Sequence, residues 1–446
     1  MSRKLFGTDG IRGLAGEYPL DRRAVFAFGL ALGELAAGLA PDPEVVLGID
    51  TRESGPWLAR QVSGGLARHG VRARFAGVIT TPGIAYLTRN DTFVAGVMIS
   101  ASHNPYQDNG IKVFSHSGYK LNDQQEHQIE RRIFASLEAG VEPAACPLEP
   151  DGSLAGRYVD YLASTLPGSL AGWKLAVDCG HGAASELAPR LFERLGAHVE
   201  AVANAPDGRN INQGCGALHP ELVRQQVLAT GAGLGVAFDG DADRAMFVSR
   251  GGKIVDGDGV LLMTARWLRS QDRLGGPVVV ATVMSNLGLE RALEAQGIRL
   301  LRTPVGDRYV LEGMLRTGAA LGGEQSGHVI FREYATTGDG LLTALRVIEI
   351  MREAGAGLDE LTADLKIYPQ RLLNVRVREK KPLAELPGVA EAIQAAEAAF
   401  GDRGRVLVRF SGTEPVARVM VEGPEMALVE EHAARIAAAI RGELGE

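Results

Sequence analysis

The sequence predicts an α/β protein, with three similar α/β domains on mixed or parallel sheets and a smaller α+β domain at the C-terminal end. Three observations carry that prediction. One pattern recurs three times: an apolar, β-branched run, a loop of small residues, a helical stretch closed by glycine, and a second short apolar run. Strand, helix and strand at this spacing is the βαβ unit, and continuous apolar runs fit parallel strands covered on both faces. From residue 369 onward the pattern gives way to short strands and two helices. Finally, 446 residues, 46% hydrophobic and 23% charged, suffice for about three domains with sizeable cores.

The elements follow in chain order. Val25 to Ala40 is apolar but broken by Glu34, and Asp21 is placed to cap it. It is shorter than the roughly 20 apolar residues of a membrane span and reads as a buried helix. The first repeat has a strand Glu44 to Asp50, a loop Thr51 to Gly55, a helix Pro56 to His69, Gly70, and a strand Val71 to Phe75. The second has Lys174 to Asp178, a loop Cys179 to Ala183, a helix to Leu195, Gly196, and a strand from Ala197. The third has Pro277 to Ala281, a loop Thr282 to Gly288, a helix to Gln296, Gly297, and a strand Ile298 to Leu301. Glycine just past a helix supplies the left-handed residue that closes it. In the last domain, strands are expected at Arg371 to Val377, Arg405 to Arg409 and Arg418 to Glu422, with a helix over Leu383 to Phe400. The final helix carries an apolar stripe of Val429, Ala433, Ile436, Ala437 and Ile440. Tyr368-Pro369 marks the junction, because a residue before proline resists helix. The expected domains are 1–154, 155–255, 256–368 and 369–446.

Composition excludes several functions. A net charge of −7 argues against a generally basic nucleic-acid binder. Cys146, Cys179 and Cys215 are too few and too scattered for a disulfide framework or zinc site, and the N-terminus runs from basic residues into polar turn residues with no apolar segment. A cytoplasmic protein is expected. Glycine stands out: 57 residues, about 13% against an ordinary 7% or so, with no repeat to absorb the surplus. Such an excess points to loops where the backbone turns tightly or approaches a ligand.

Four loops carry chemistry. Phe238-Asp239-Gly-Asp241-Ala-Asp243-Arg244 follows an apolar strand ending at Phe238. Three carboxylates this close repel unless a cation sits among them, and hard oxygen ligands favour Mg²⁺ or Ca²⁺. An EF-hand is excluded, because Arg244 and Arg250 stand where it needs glycine and glutamate. Ile99-Ser100-Ala101-Ser102-His103-Asn104-Pro105, with Lys112 beyond it, also follows an apolar strand, where open α/β sheets bind ligands. It offers a hydroxyl nucleophile beside an imidazole, with Lys112 as a proton shuttle. Taken alone, such a pair is more often a structural turn. Arg409-Phe-Ser411-Gly412-Thr413-Glu-Pro415, followed by Arg418, combines hydroxyls, free backbone N–H groups and two arginines, a phosphate cradle if it is more than a hairpin turn. Gly323-Glu324-Gln325-Ser326-Gly327-His328 mixes a carboxylate, an amide, a hydroxyl and an imidazole, which suits sugar hydroxyls. Phe6-Gly-Thr-Asp9-Gly-Ile-Arg12-Gly13 adds an arginine between glycines, and no P-loop, dinucleotide fingerprint or zinc-protease motif occurs.

In this order, Ser-Ala-Ser102-His-Asn-Pro, Asp239-Gly-Asp-Ala-Asp-Arg244, Gly323-Glu-Gln-Ser-Gly-His328 and Arg409-Phe-Ser-Gly-Thr-Glu-Pro415 resemble the α-D-phosphohexomutase superfamily along essentially the whole chain. The opening motif, the His328 loop and Arg418 to Gly423 resemble its glucosamine-phosphate branch most closely. The resemblance implies four domains around a central cleft and an isomerase that interconverts glucosamine 6-phosphate and glucosamine 1-phosphate. A mannose- or glucose-phosphate mutase and a non-catalytic phosphosugar sensor are the competing readings. It implies Ser102 as the phosphorylated serine. It also implies one Mg²⁺ held by Asp239, Asp241 and Asp243 with a phosphoserine oxygen, and a sugar 1,6-bisphosphate as intermediate and activator. Glu324 and Ser326 would read sugar hydroxyls; Arg409, Ser411, Gly412, Thr413 and Arg418 would hold the phosphate that is not reacting. Arg12, His103, Lys112, Arg244 and His328 would serve phosphate neutralisation and proton transfer. The expected partner is a small phosphosugar, with no nucleic acid or membrane and with scope for a homodimer. Ala242 departs from the glycine of many members and is expected to disfavour φ > 0 without disturbing the carboxylates.

Overall fold

The computed structural model describes residues 5–7, 9–411 and 415–445. They form two compact units: one runs to Met284 and resumes from Ile298 to Ala363, and the other comprises Ser285 to Gly297 and the chain from Asp364 onward.

The first unit contains three sheets of six, five and four strands. Each holds the parallel pair predicted by one repeat: Glu44–Ile49 with Arg72–Val78, Lys174–Asp178 with His198–Val202, and Val278–Thr282 with Arg299–Thr303. Gly70, Gly196 and Gly297, which follow the repeat helices, all have positive φ. The repeat is longer than its sequence pattern. In each sheet a third strand joins the first in parallel: Ala95–Ile99, Leu234–Phe238 and Leu321–Gly323. Each of these then folds back antiparallel, onto Asp108–Ser115, Ala245–Ser249 and Val329–Phe331 respectively. The turn of that hairpin is, in order, the Ser102 loop, the triple-aspartate loop and the Glu324 loop. Three similar sheets thus present three chemically different turns at one topological position.

Asp21 caps the helix Arg22–Ala36 by accepting from the N–H groups of Arg23 and Ala24. The helix stops at Ala36, short of the predicted Ala40, because Gly38 and Pro41 follow. It packs on Gly55–Ala67 at close range: a Cβ added to Gly29 would lie 2.4 Å from the Val62 carbonyl oxygen. Part of the glycine surplus therefore serves helix packing.

The second unit is a three-stranded antiparallel sheet in the order Gln370–Arg376, Val416–Glu422, Arg405–Phe410. The helices Pro387–Phe400 and Met426–Leu444 supply its core, and all five residues of the predicted stripe are buried. The predicted helix from Leu383 begins instead at Pro387, after a 3₁₀ turn Leu383–Glu385; proline has no N–H to donate and sits at a first turn. Helix Leu287–Glu294 of the third repeat belongs to this unit, where its Leu287 N–H donates to Glu422.

Candidate active site

The aspartate loop turns tightly after Phe238, with the Ala242 N–H donating to the Asp239 carbonyl at 3.0 Å. Ala242 takes φ 54°, the conformation that alanine disfavours, and its own carbonyl accepts from the Gly340 N–H. The loop's hydrogen bonds therefore overrule the residue's preference. Asp239, Asp241 and Asp243 are all buried, with carboxylate oxygens within 4.8 Å of one another.

Lys112, from the strand after the serine loop, enters this cluster. Its Nζ lies 2.8 Å from Asp241, 3.4 Å from Asp243 and 3.0 Å from Asp9. Burial works against its charge, but these carboxylates hold its pKa well above the ordinary lysine value. The lysine expected from spacing to shuttle a proton thus stands in contact with three carboxylates. Asp241 also accepts from Thr81, and Asp243 faces His328 Nδ1 at 3.7 Å. Burial and the charges of Asp243 and Asp241 push Asp239 well above the usual carboxylate range. Burial would raise Asp243 too, yet Lys112 and His328 hold it well below. One oxygen each of Asp241 and Asp243 is buried with no hydrogen-bond partner. A set of hard, partly orphaned carboxylate oxygens fits a divalent cation such as Mg²⁺.

Ser102 meets the cluster from the first domain. Its Oγ donates to Asp239 at 2.5 Å and lies 3.3 Å from His103 Nδ1. Burial, then the nearby charges of Arg244 and Arg12, bring His103 down to about 4, so its imidazole is neutral near pH 7. Arg12 pairs with Asp9 and reaches the Ala101 carbonyl, and Arg244 donates its backbone N–H to Asp239.

The third domain adds His328, whose Nε2 accepts from the Gly338 N–H at 3.0 Å, leaving Nδ1 to carry the proton facing Asp243. The Glu324 turn closes by the Glu324 N–H donating to the His328 carbonyl, and Glu324 accepts from the Gly306 N–H and from Ser326 Oγ. This turn abuts the aspartate loop through the Ala245 N–H, which donates to the Gly327 carbonyl. Ser102, His103, Arg12, Lys112, Arg244, the three aspartates, Glu324, Ser326 and His328 are therefore assembled within one unit.

In the other unit, Arg409 and Arg418 stand directly opposite each other on adjacent strands. Burial and the Arg418 charge lower the Arg409 pKa. Like charges in register are unfavourable unless an anion joins them. Ser411 is buried, and its carbonyl accepts from Lys380, a cation that sequence reasoning passed over. Gly412 and Thr413 lie outside the described residues.

Other partners were also missed. Lys120 bridges Asp9 and Asp307, and Asp307 lies 3.8 Å from His328 Nε2. Asp50 and Arg52 form a fully buried ion pair under the serine loop. Asp50 and Arg52 could have been found, because they follow a strand's C-terminal end just as the serine loop does. For Lys120 and Asp307 no local pattern announces a partner 187 residues away.

Comparisons place this geometry among known proteins. Family models described as Phosphoglucomutase/phosphomannomutase alpha/beta/alpha domains I, II and III match residues 3–139, 156–252 and 256–368, and the C-terminal domain model matches 372–439. The chain is 63% identical over 446 residues to the phosphoglucosamine mutase of Solibacter usitatus, covering 100% of both chains. It is 51% identical to that of Koribacter versatilis, over 99% of this chain and 98% of the relative. Among solved structures, a phosphoglucomutase/phosphomannomutase family protein from Burkholderia thailandensis aligns with TM-score 0.79 at 26% identity, over 98% of this chain and 99% of that one. The Aspergillus fumigatus N-acetylphosphoglucosamine mutase, solved with GlcNAc-6P and magnesium, has the same fold at TM-score 0.65 and 18% identity, over 99% and 96%.

Proposed function

The chain belongs to the phosphoglucomutase/phosphomannomutase family and is a sugar-phosphate mutase, and from that premise we propose that it interconverts glucosamine 6-phosphate and glucosamine 1-phosphate through a phosphorylated Ser102. The observation that carries the reading is Ser102 Oγ at 2.5 Å from Asp239, at the edge of a buried carboxylate cluster. The relatives' activity supports the amino sugar as substrate.

Phosphoserine would donate its phosphoryl group to one sugar hydroxyl. The Ser102 Oγ–P bond breaks, a P–O bond to the sugar forms, and the hydroxyl proton passes to a nearby base. The resulting sugar 1,6-bisphosphate turns over and returns its other phosphoryl group to Ser102. One Mg²⁺ per chain, held by Asp239, Asp241, Asp243 and a phosphoserine oxygen, would offset charge on the transferring group. Arg12 and Arg244 bring positive charge to the serine loop; His103, held neutral, is placed to accept a proton, and His328, beside Asp243, to hold one. Glu324 and Ser326 orient sugar hydroxyls. Arg409, Ser411, Gly412, Thr413 and Arg418 hold the second phosphate; the two facing guanidiniums support an anion between them. The phosphosugar is the partner and the cytoplasm the compartment, consistent with no helix among the described residues being long and apolar enough to cross a membrane.

The test combines turnover with mass. With Mg²⁺ and a trace of glucosamine 1,6-bisphosphate, wild-type protein should isomerise glucosamine 6-phosphate and show one phosphate adduct at Ser102. Ser102→Ala should lose the adduct and about a thousandfold or more of kcat. Full activity in Ser102→Ala would overturn the phosphoserine, and a strong preference for mannose or glucose phosphates would overturn the sugar.

A further inference from the structure

Ser102 sits at φ 53°, a left-handed conformation that serine rarely adopts, so something must hold it there. The surrounding hydrogen bonds show what does. Arg52 Nη2 donates to the carbonyl oxygens of both Ser102, at 3.2 Å, and Asn104, at 2.6 Å. Asn212 Nδ2 donates to the same two oxygens, at 2.9 and 3.1 Å. Two acceptors that would repel each other are thus gathered onto two donors, one from the first domain and one from the second. Arg52 is itself immobilised by the buried Asp50 carboxylate, which also takes the Arg52 N–H. The flanking residues bind the second domain: Thr51 Oγ1 donates to the His181 carbonyl at 2.6 Å, and the Glu53 N–H to the Gly208 carbonyl at 3.0 Å. The aspartate loop closes on the same point, since a Cβ on Gly240 would lie 2.5 Å from the Ser102 carbonyl oxygen and 3.0 Å from Asn212 Nδ2.

We propose that Arg52 and Asn212 are positioning residues for phosphoryl transfer: by clamping the carbonyls of Ser102 and Asn104 they keep the serine Oγ directed at the aspartate cluster whether or not it carries a phosphoryl group. The inference rests on Ser102 being the phosphoryl carrier. A phosphoserine brings a charge of about −1.5 to −2 towards three carboxylates, and a loop held only by its own turn would swing away. Neither residue touches the phosphoryl group in this role. The charge of Arg52 is offset by Asp50 at contact, so it acts through its fork of N–H donors rather than as a phosphate ligand.

Asn212 itself sits at φ 59°, which Asp tolerates, so Asn212→Asp keeps the size and backbone yet presents an acceptor where the carbonyls need a donor. Asn212→Gly removes the donor without backbone strain, and Arg52→Lys keeps the charge but loses the fork. Protein is phosphorylated with glucose 1,6-bisphosphate, the Ser102 adduct is quantified by intact mass, and single-turnover transfer to glucosamine 6-phosphate is measured per phosphorylated serine. Asn212→Asp and Arg52→Lys should each slow transfer about tenfold or more, with KM changed less than about threefold, and Asn212→Gly should fall between them and wild type. A role in folding alone would lower the melting temperature and leave the rate per phosphorylated serine unchanged. Wild-type transfer rates in all three variants would overturn the proposal. Failure of the underlying reading looks different: wild-type protein itself would carry no Ser102 adduct.

Discussion

Lys112 brings one positive charge to Asp9, Asp241 and Asp243, and its side chain is almost fully buried. Breaking a buried ionic cluster on one side costs about 3–5 kcal/mol, because the remaining charges stay out of water without a partner. Lys112→Met should therefore melt well below wild type in EDTA, and millimolar Mg²⁺ should recover more of the melting temperature in the variant than in wild type. Equal Mg²⁺ shifts would show that the ammonium does not carry this charge. At this scale the sequence was informative wherever the chemistry is local. Asp239, Asp241 and Asp243 lie within one turn, and repulsion among them announces a cation. The identity of the protein cation was not legible, because Lys112 reaches Asp241 across 129 residues and only folding sets that distance. The same holds for Asn212, an unremarkable loop residue until its amide is seen against the Ser102 carbonyl.

Helix Gly340–Ala354 shows how one element serves both stability and the site. Its cap, Asp339, accepts from the Leu342 N–H and from the Tyr158 hydroxyl, and burial raises its pKa to about 6. A carboxyl raised above its unfolded value, near 3.9, holds its proton more tightly when folded. Its contribution is then fully present below about pH 4 and lost as pH rises through about 6. Asn at this position is neutral throughout, still caps, and lets the Tyr158 hydroxyl turn round to accept. Urea unfolding should therefore show Asp339→Asn gaining on wild type between pH 4.5 and 7.5, by up to about 2 kcal/mol. A constant difference across that range would remove the linkage. Just before the cap, Gly338 lies against the His328 ring, and an added Cβ would come within 2.6 Å of three ring atoms. Gly338→Ala must displace the imidazole, and about tenfold to a hundredfold should be lost in kcat while binding of the sugar phosphate changes little. Steady-state kinetics separate the two. Strands and helices of the repeats were legible from apolar runs and closing glycines. The antiparallel return of each hairpin was not, because Asp108–Ser115 mixes Asp108, Asn109, Lys112 and Ser115 with its apolar residues, and nothing local in Ala245–Ser249 gives the direction in which it pairs.

At the scale of the whole molecule, the aspartate loop ties three sheets together. The first domain reaches it through Ser102, Thr81 and Lys112, and the third through His328 and the Gly340 N–H. Composition pointed to a loop-rich binding site through its glycine surplus, but it could not say that one loop would take partners from both neighbouring domains. That connectivity has a thermodynamic consequence. A cation that binds the folded cluster and not the unfolded chain stabilises every element that must unfold to break the cluster, by about 2.7 kcal/mol when its concentration is 100 times its Kd. Mg²⁺ should raise the melting temperature in proportion to the logarithm of its concentration once the site is largely filled. It should also slow amide exchange in residues 100–112, 239–245 and 324–340 together, since the three segments share the same opening event. Asp241→Asn should remove both effects while leaving exchange in the helix Met426–Leu444 as it was, because that helix belongs to the other unit and its core is separate. Protection confined to 239–245 would mean that the cation orders its own loop only, and that the hydrogen bonds from the first and third domains do not transmit its binding energy.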